Sequence, residues 1–446
     1  MRSTSGNPSA ALTSVTGEAM SLKSVQATGQ ASGLLLELTV RQVYRNDTAK
    51  TLETVYTFPL AWGAVLMDLN VEIAGKRLSG VAVEAKDAEE RYEEAVADGD
   101  TPILLEKSSD GLFTVNLGNL KPGEEAVIEY RYGQLLHYEQ SRIRLSVPTT
   151  IAPRYGDAER QGGIRPHEAV ESDLLVEYPL ALTLTLVGDL AKGAVQSPSH
   201  PIQTQCEDGR LVVSLAKAYL DRDFVLTVEG LEGRSMAEMV ADGAESVVLA
   251  SFCPKIAGNP GSAIALKILI DCSGSMAGDS ITAAKKSLHQ VLAELDPADR
   301  FSYSRFGSSV THSIRNLVPA DGRHVRWAAG HVDRTDADMG GTEIEGALCS
   351  VFALDGAAEG ADVLLITDGE VWNIEDVVKA AQRSGHRIFA VGVGSAPAET
   401  LLRRLATSTG GACELVAPNE DIEAAVARMF RRMRVPRASE VVVDWH

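Results

Sequence analysis

The hydrophobic period of this chain changes once, near residue 262, and that change constrains what each part can fold into. Upstream, apolar and polar residues alternate, as in LLLELTVRQVYRN from Leu34, followed by TVYTFPL, VLMDLNVEI and LSGVAVE. Alternation with period two is the mark of strands buried on one face. One helical stretch interrupts it, KDAEERYEEAVADG over 86–99, where Ala88, Tyr92, Ala95 and Val96 recur at helical spacing. Downstream, AIALKILI is a nearly continuous apolar run, as a parallel strand covered on both faces requires. Helical and strand-like segments then alternate to about residue 434: SITAAKKSLHQVLAEL, FSYSRFG, HVRWAAGHVDR, EIEGALCSVFAL, ADVLLITDG, IEDVVKAAQRSG, HRIFAVGVG, AETLLRRLATSTG, CELV and DIEAAVARMFRRM. That order predicts a doubly wound, mostly parallel α/β sheet with helices on both faces.

The chain therefore divides into a disordered start (1–11), a β-rich domain (12–140), a β-sandwich-like region (141–260), the α/β domain (261–434) and a last strand (435–446) that could return to the β region. Its apolar end, Val441-Val442-Val443-Asp444-Trp445-His446, leads us to expect a natural protein that continues past it. Tyr56, Phe58, Tyr92 and Phe113 are expected in the β core.

Composition removes several function classes. The formal charge is −19, from 42 basic and 61 acidic side chains, which repels phosphate backbones and argues against nucleic acid or an anionic membrane surface as partner. No run approaches the ~18 apolar residues of a membrane span, and the N-terminus lacks the apolar core of a signal peptide. The five cysteines (Cys206, Cys253, Cys272, Cys349, Cys413) are scattered and form no CxxC pair, so neither a zinc site nor a disulfide framework is expected. These features point to the cytoplasm, with no membrane insertion.

The chemistry concentrates where the first α/β strand ends, in Asp271-Cys272-Ser273-Gly274-Ser275-Met276. Open α/β sheets bind ligands at the carboxyl ends of their strands. Asp271, Ser273 and Ser275, at i, i+2 and i+4, suit a loop curling round one point. Two hydroxyls and a carboxylate make half a site for a hard cation, and other strand ends should complete it. ADVLLIT delivers Asp368, and Gly340-Gly341-Thr342 delivers a further hydroxyl. An Asp followed by Ser and Gly is often only a helix cap, and Asp279 is assigned that role here. The basic run 428–434 is expected to be a solvated helix end.

The ordered set DxSxS, a Thr in a glycine-rich loop and an Asp in TDG resembles the metal-ion-dependent adhesion site (MIDAS) of von Willebrand factor type A (vWA) domains. The resemblance implies Ser273, Ser275 and Thr342 as direct ligands, Asp271 and Asp368 as ligands largely through water, and an open position for a partner's Asp or Glu. Mg²⁺ is the expected cation, with Mn²⁺ or Ca²⁺ as alternatives. Upstream, RQVYRN, ETVYTFPL, GVAVEAKDAEERYEEAVADG and LLEKSSDGLFTVNLGNLKPGEEAVIEYRYGQLL resemble the vault protein inter-alpha-trypsin (VIT) domain. The order of the two is that of inter-alpha-trypsin inhibitor heavy-chain-like proteins.

Nucleophilic catalysis finds no motif, since Ser273 sits in CSGS rather than GxSxG and no HExxH or phosphate loop occurs. The expectation is a non-enzymatic, metal-dependent protein-binding module. The alternatives are self-association through the β domains, or a metal-dependent hydrolase using Glu370 as base.

Overall fold

In the computed structural model, described residues are 12–14, 21–73, 75–80, 85–98, 102–109, 112–139, 142–149, 154–155, 179–215, 218–220, 222–231, 236–251, 263–354, 361–371, 374–394, 397–418, 420–434 and 442. The expected disordered start (1–11) lies outside them, as does the last strand (435–446) save Val442. The chain forms two compact units, one mainly of residues 6–151 and 158–254, the other mainly of 255–446.

In the first unit the period-two segments become strands. Leu35–Arg45 buries every second residue from Leu36, and Glu125–Leu135 does the same from Ala126. The main sheet runs 202–207, 210–215, 179–187, 21–32, 35–45, 125–135, 65–73, 76–79, with 218–219 beside 179–187. Residues 21–32 and 179–187 pair in parallel, from Leu180 opposite Val25 to Val187 opposite Ser32. The sequence boundary between 12–140 and 141–260 is thus crossed by one continuous sheet. The expected helix is present as Ala85–Ala97. Phe58 is fully buried and stacks on Tyr130, Tyr92 is buried and Phe113 packs against the core; the side chain of Tyr56 lies outside those described.

The second unit is the α/β domain. Its strands are β1 (Ala265–Asp271), β2 (Arg300–Phe306), β3 (Val310–Pro319), β4 (Asp362–Thr367), β5 (Arg387–Val393) and β6 (Ala412–Val416). Its helices are α1 (Asp279–Glu294), α2 (Gly322–Arg334), α3 (Ile344–Phe352), α4 (Ile374–Ser384), α5 (Glu399–Thr409) and α6 (Ile422–Met433). The sheet order is β3-β2-β1-β4-β5-β6, parallel except for β3.

Both faces of each central strand are covered and mostly apolar, with Lys267 of β1 and Ser302 and Ser304 of β2 as buried polar exceptions. Leu266, Ile268 and Ile270 of β1 pack in one core with α1, α2 and α6, while Leu269 points into the other with α3, α4 and α5. Each such side chain contributes about 1.5–3 kcal/mol on burial, so β1 anchors the domain. β3 escapes the sequence reading. It is an edge strand whose pairing with β2 shifts register twice, so its buried Ile314 and Leu317 are three apart rather than two.

Two local expectations are corrected. The cap position of α1 is Gly278, at φ 89°, and Asp279 is the first helical residue, without a capping hydrogen bond. The basic run at the end of α6 is folded in rather than solvated. Arg428 and Arg432 reach the buried Glu414 at 3.0 and 3.6 Å, and Arg434 reaches the buried Asp299 at 2.7 Å. Unpaired buried carboxylates would be costly, so these arginines are required where they are.

Close packing sets the first prediction. A Cβ on Gly411, between α5 and β6, would lie 1.9 Å from the carbonyl oxygen of Ile388, whereas one on Gly346, in α3, would meet nothing within 4 Å. Gly411→Ala is expected to destabilise the fold by about 2–3 kcal/mol. Gly346→Ala is expected to stabilise it by about 0.5–1 kcal/mol. Urea unfolding of both variants measures the pair, and equal shifts would contradict this packing.

Candidate metal centre

Because β1, β2 and β4 are parallel neighbours, their carboxyl ends share one edge. Asp271 stands opposite Phe306, and Ile270 opposite Ile366. The loops that follow are tied together by backbone hydrogen bonds. Cys272 N–H donates to the Phe306 carbonyl at 2.7 Å, Met339 N–H to the Cys272 carbonyl at 2.9 Å, and Gly274 N–H to the Gly340 carbonyl at 2.7 Å. On the other side of the 339–343 loop, Ser308 N–H donates to the Met339 carbonyl at 2.7 Å and Glu343 N–H to the Gly307 carbonyl at 3.0 Å. Gly341 N–H donates to Ser308 Oγ, also at 2.7 Å. Gly307 is essential to this clamp, since a Cβ there would sit 2.3 Å from the Met339 carbonyl oxygen.

The side chains converge on this edge. Asp271, wholly buried, accepts from Ser273 N–H at 2.8 Å through Oδ1 and from the Thr367 hydroxyl through Oδ2. Ser273 Oγ and Ser275 Oγ lie 3.1 Å apart, and Ser275 Oγ donates to Asp368 Oδ1 at 2.9 Å. Four of the five expected residues thus form one connected network. The fifth, Thr342, is two residues past the Gly340 carbonyl that holds Gly274. It is 5% exposed, and its Oγ1 is buried with no hydrogen-bond partner. An orphaned buried hydroxyl costs about 1–3 kcal/mol, so something should meet it.

Sequence reasoning missed the supporting residues. Thr367 links Asp271 to the next loop, because its hydroxyl also accepts from Gly369 N–H at 3.1 Å. Ser280 hydrogen-bonds Asp368. Thr367 could have been noticed, being the hydroxyl residue directly before Asp368 at the same strand end. Ser280 and Ser308 carry no local signal, because only the fold brings them in. Cys272 is a buried filler, as expected, and burial pushes its thiol up to about 12. The side chain of Glu370 is outside those described. Its backbone, with that of Val371, pairs in parallel with Arg154–Tyr155.

Burial raises the Asp271 carboxyl above the ordinary range, against the pull of its hydrogen bonds. Asp368 is raised to about 7, first by burial and then by the nearby Asp271 charge, while Ser275 and Ser280 pull it down. Two carboxylates in a dry pocket oppose one another's ionisation. Among the described residues, no group of three or more His, Cys, Asp or Glu is placed to hold an ion. This site has only two carboxylates, and its fit to a cation rests on hydroxyl oxygens, above all the unpartnered Thr342 Oγ1.

Residues 22–132 match the vault protein inter-alpha-trypsin domain family, and residues 266–431 match the von Willebrand factor type A domain family. The chain carries a VIT domain followed by a vWA domain. Human von Willebrand factor A domain-containing protein 5A is 26% identical over 464 residues, covering 96% of this chain and 59% of that protein. A von Willebrand factor A domain-containing protein of Dictyostelium discoideum is 24% identical over 420 residues, covering 91% of this chain and 48% of that one. The chain therefore spans about half to three-fifths of the length of these relatives. A solved von Willebrand factor type A structure from Catenulispora acidiphila is similar at 23% identity and a TM-score of 0.32, over 45% of this chain and 49% of that one. vWA domains mediate protein–protein interaction and often bind a divalent cation. Among the described residues, no helix of the VIT–vWA chain is long and apolar enough to cross a membrane.

The raised Asp368 gives a pH prediction for the cation-free protein. Its carboxyl moves from near 3.8 to about 7 on folding, so between these values the folded chain holds a proton that the unfolded chain has released. That contribution to stability is complete below about pH 4 and is lost as the pH rises through about 7. Asp368→Asn removes the titration. In EDTA, its stability relative to wild type should rise by about 2–4 kcal/mol from pH 4 to pH 8, measured by urea unfolding. A difference independent of pH would contradict the assignment.

Proposed function

We propose that this chain is a non-enzymatic protein-binding module that engages a partner carboxylate through a divalent cation. Ser273, Ser275 and Thr342 would hold the ion directly, and Asp271 and Asp368 would act largely through water. The observation that carries the reading is the buried, unpartnered Thr342 Oγ1, on a loop hydrogen-bonded to the Ser273–Ser275 turn. An all-oxygen donor set suits a hard cation, Mg²⁺ best, with Mn²⁺ or Ca²⁺ next. When bound, the ion supplies a positive centre that three neutral hydroxyls leave largely unquenched, and it relieves the repulsion between Asp271 and Asp368. Thr367, Ser280 and the clamp around 339–343 hold these groups in place beforehand, which lowers the entropy cost of binding. A cytoplasmic location accords with Cys206, Cys272 and Cys349 being free thiols.

A second reading, self-association through the β unit, draws on one patch. Leu35, Leu135 and Val65 are exposed on neighbouring strands, with Leu35 opposite Leu135 and Val65 opposite Gly133, and the exposed Met67 lies beside Gly133. Light scattering over a concentration series separates it from the first, because assembly through this patch is indifferent to EDTA.

Titration calorimetry with MgCl₂ and MnCl₂ tests the first reading. Wild type should bind with a dissociation constant between about a micromolar and a millimolar. Thr342→Ala removes a hydroxyl without breaking any hydrogen bond, so it should keep the fold and weaken binding about tenfold or more. Equal metal binding by the two proteins would sink the proposal.

A further inference from the structure

The outer face of α2 carries a feature that the cation site does not use. Arg323, Arg326, Trp327, Gly330, His331 and Arg334 follow one another at helical spacings of three and four. They form a single stripe opposite the buried Ala328 and Val332. Trp327 is 45% exposed, and the His331 ring lies over it at 3.8 Å between centroids. Arg323, Arg326 and Arg334 are exposed, and among the described residues none of them has a carboxylate within ion-pair distance. Elsewhere in the vWA domain several arginines are paired, Arg387 with Asp362, Arg403 with Glu399, Arg404 with Glu375, Arg428 with Glu414 and Arg434 with Asp299. Arg315 and Arg383, without such a partner among the described residues, stand singly on β3 and α4 rather than in a stripe. The acids nearest the stripe are already engaged. Asp321 accepts from the amides of Arg323 and His324 and from the His324 ring, and Asp333 is held by His289 at 2.9 Å.

We propose that this face of α2 is a docking surface for an acidic segment of a partner protein, separate from the cation site. In a chain of net charge −19, three arginines left without acids along one helix face form a local attractive field for carboxylates. Trp and Arg together are the composition of an interface anchor, the ring giving apolar area and the guanidinium groups giving bidentate carboxylate contacts. The twelve residues of helix from Arg323 to Arg334 span about 16 Å, the length of about five extended residues. Arg323 and Arg326 lie about 4.5 Å apart along the axis and Arg326 and Arg334 about 12 Å, which flexible arginine side chains can match to same-side carboxylates recurring about every 6.6–6.8 Å in an extended segment. The fitting ligand is therefore an extended acidic stretch with Asp or Glu at alternate positions and an apolar residue to cover Trp327.

The test uses the full chain in EDTA, which removes the cation site from the readout and keeps the two proposals distinguishable. A fluorescein-labelled decapeptide of alternating Glu and Ser, with one central Leu, is titrated by anisotropy at about 50 mM salt and again at about 300 mM. Wild type should bind, more weakly at the higher salt. Arg326→Gln with Arg334→Gln should weaken binding about tenfold, and Trp327→Ala about fivefold. Arg315→Gln with Arg383→Gln, an equal charge change elsewhere on the domain, should leave binding unchanged. Melting temperatures of these surface variants should stay within about 2 °C of wild type, which excludes unfolding as the cause. The proposal is overturned if wild type fails to bind, if the control pair loses as much as the α2 pair, or if a thymidine oligonucleotide of equal charge competes more strongly than the peptide.

Discussion

The candidate centre depends on one set of backbone hydrogen bonds, the clamp that holds the 339–343 loop between the turn after β1 and the turn after β2. Side-chain chemistry alone would not bring the loop of Thr342 to this edge, because that residue is 67 positions away in sequence from Ser275. The Gly274 amide on the Gly340 carbonyl and the Met339 amide on the Cys272 carbonyl fix that loop from one side, and Ser308 fixes it from the other. The parallel sheet supplies the rest of the geometry, since β1 and β4 end side by side and present Asp271 and Asp368 at one edge.

The electrostatics follow from that placement. Asp271 is wholly buried and Asp368 nearly so; burial raises both carboxyls, and the Asp271 charge raises Asp368 further. Hydroxyls from Thr367, Ser273, Ser275 and Ser280 soften the cost without adding charge. The result is a pair of buried acidic groups with no resident positive side chain hydrogen-bonded to either carboxylate among the described residues, beside a loop that carries the unpartnered Thr342 hydroxyl. Burying two carboxyls side by side is a cost to the fold that, on the reading proposed above, a small divalent ion would relieve, a common trade of stability for function.

Much of this was legible before any coordinates. The change of period near residue 262 distinguishes the β part from the α/β part, and continuous apolar strands such as AIALKILI announce a sheet covered on both faces. Asp271, Ser273, Ser275, Thr342 and Asp368 stand out because strand ends are where such sheets bind ligands. Other features depend on tertiary structure and leave no local trace. β3 hides behind two register shifts, and the arginines of 428–434 look like a solvated helix end until Glu414 and Asp299 are seen beneath them. The single sheet joining 21–32 to 179–187 is a parallel pairing across about 150 residues, which no short-range pattern encodes. Ser308 and Ser280 matter only because loops distant in sequence meet.

The most direct test of the cation centre is a crystal structure of the chain grown with Mn²⁺, with anomalous scattering recorded at the manganese absorption edge. The account predicts an anomalous peak bounded by Ser273 Oγ, Ser275 Oγ and Thr342 Oγ1, at about 2.0–2.3 Å from each. A map with no peak there, in crystals that show manganese bound elsewhere, would contradict it.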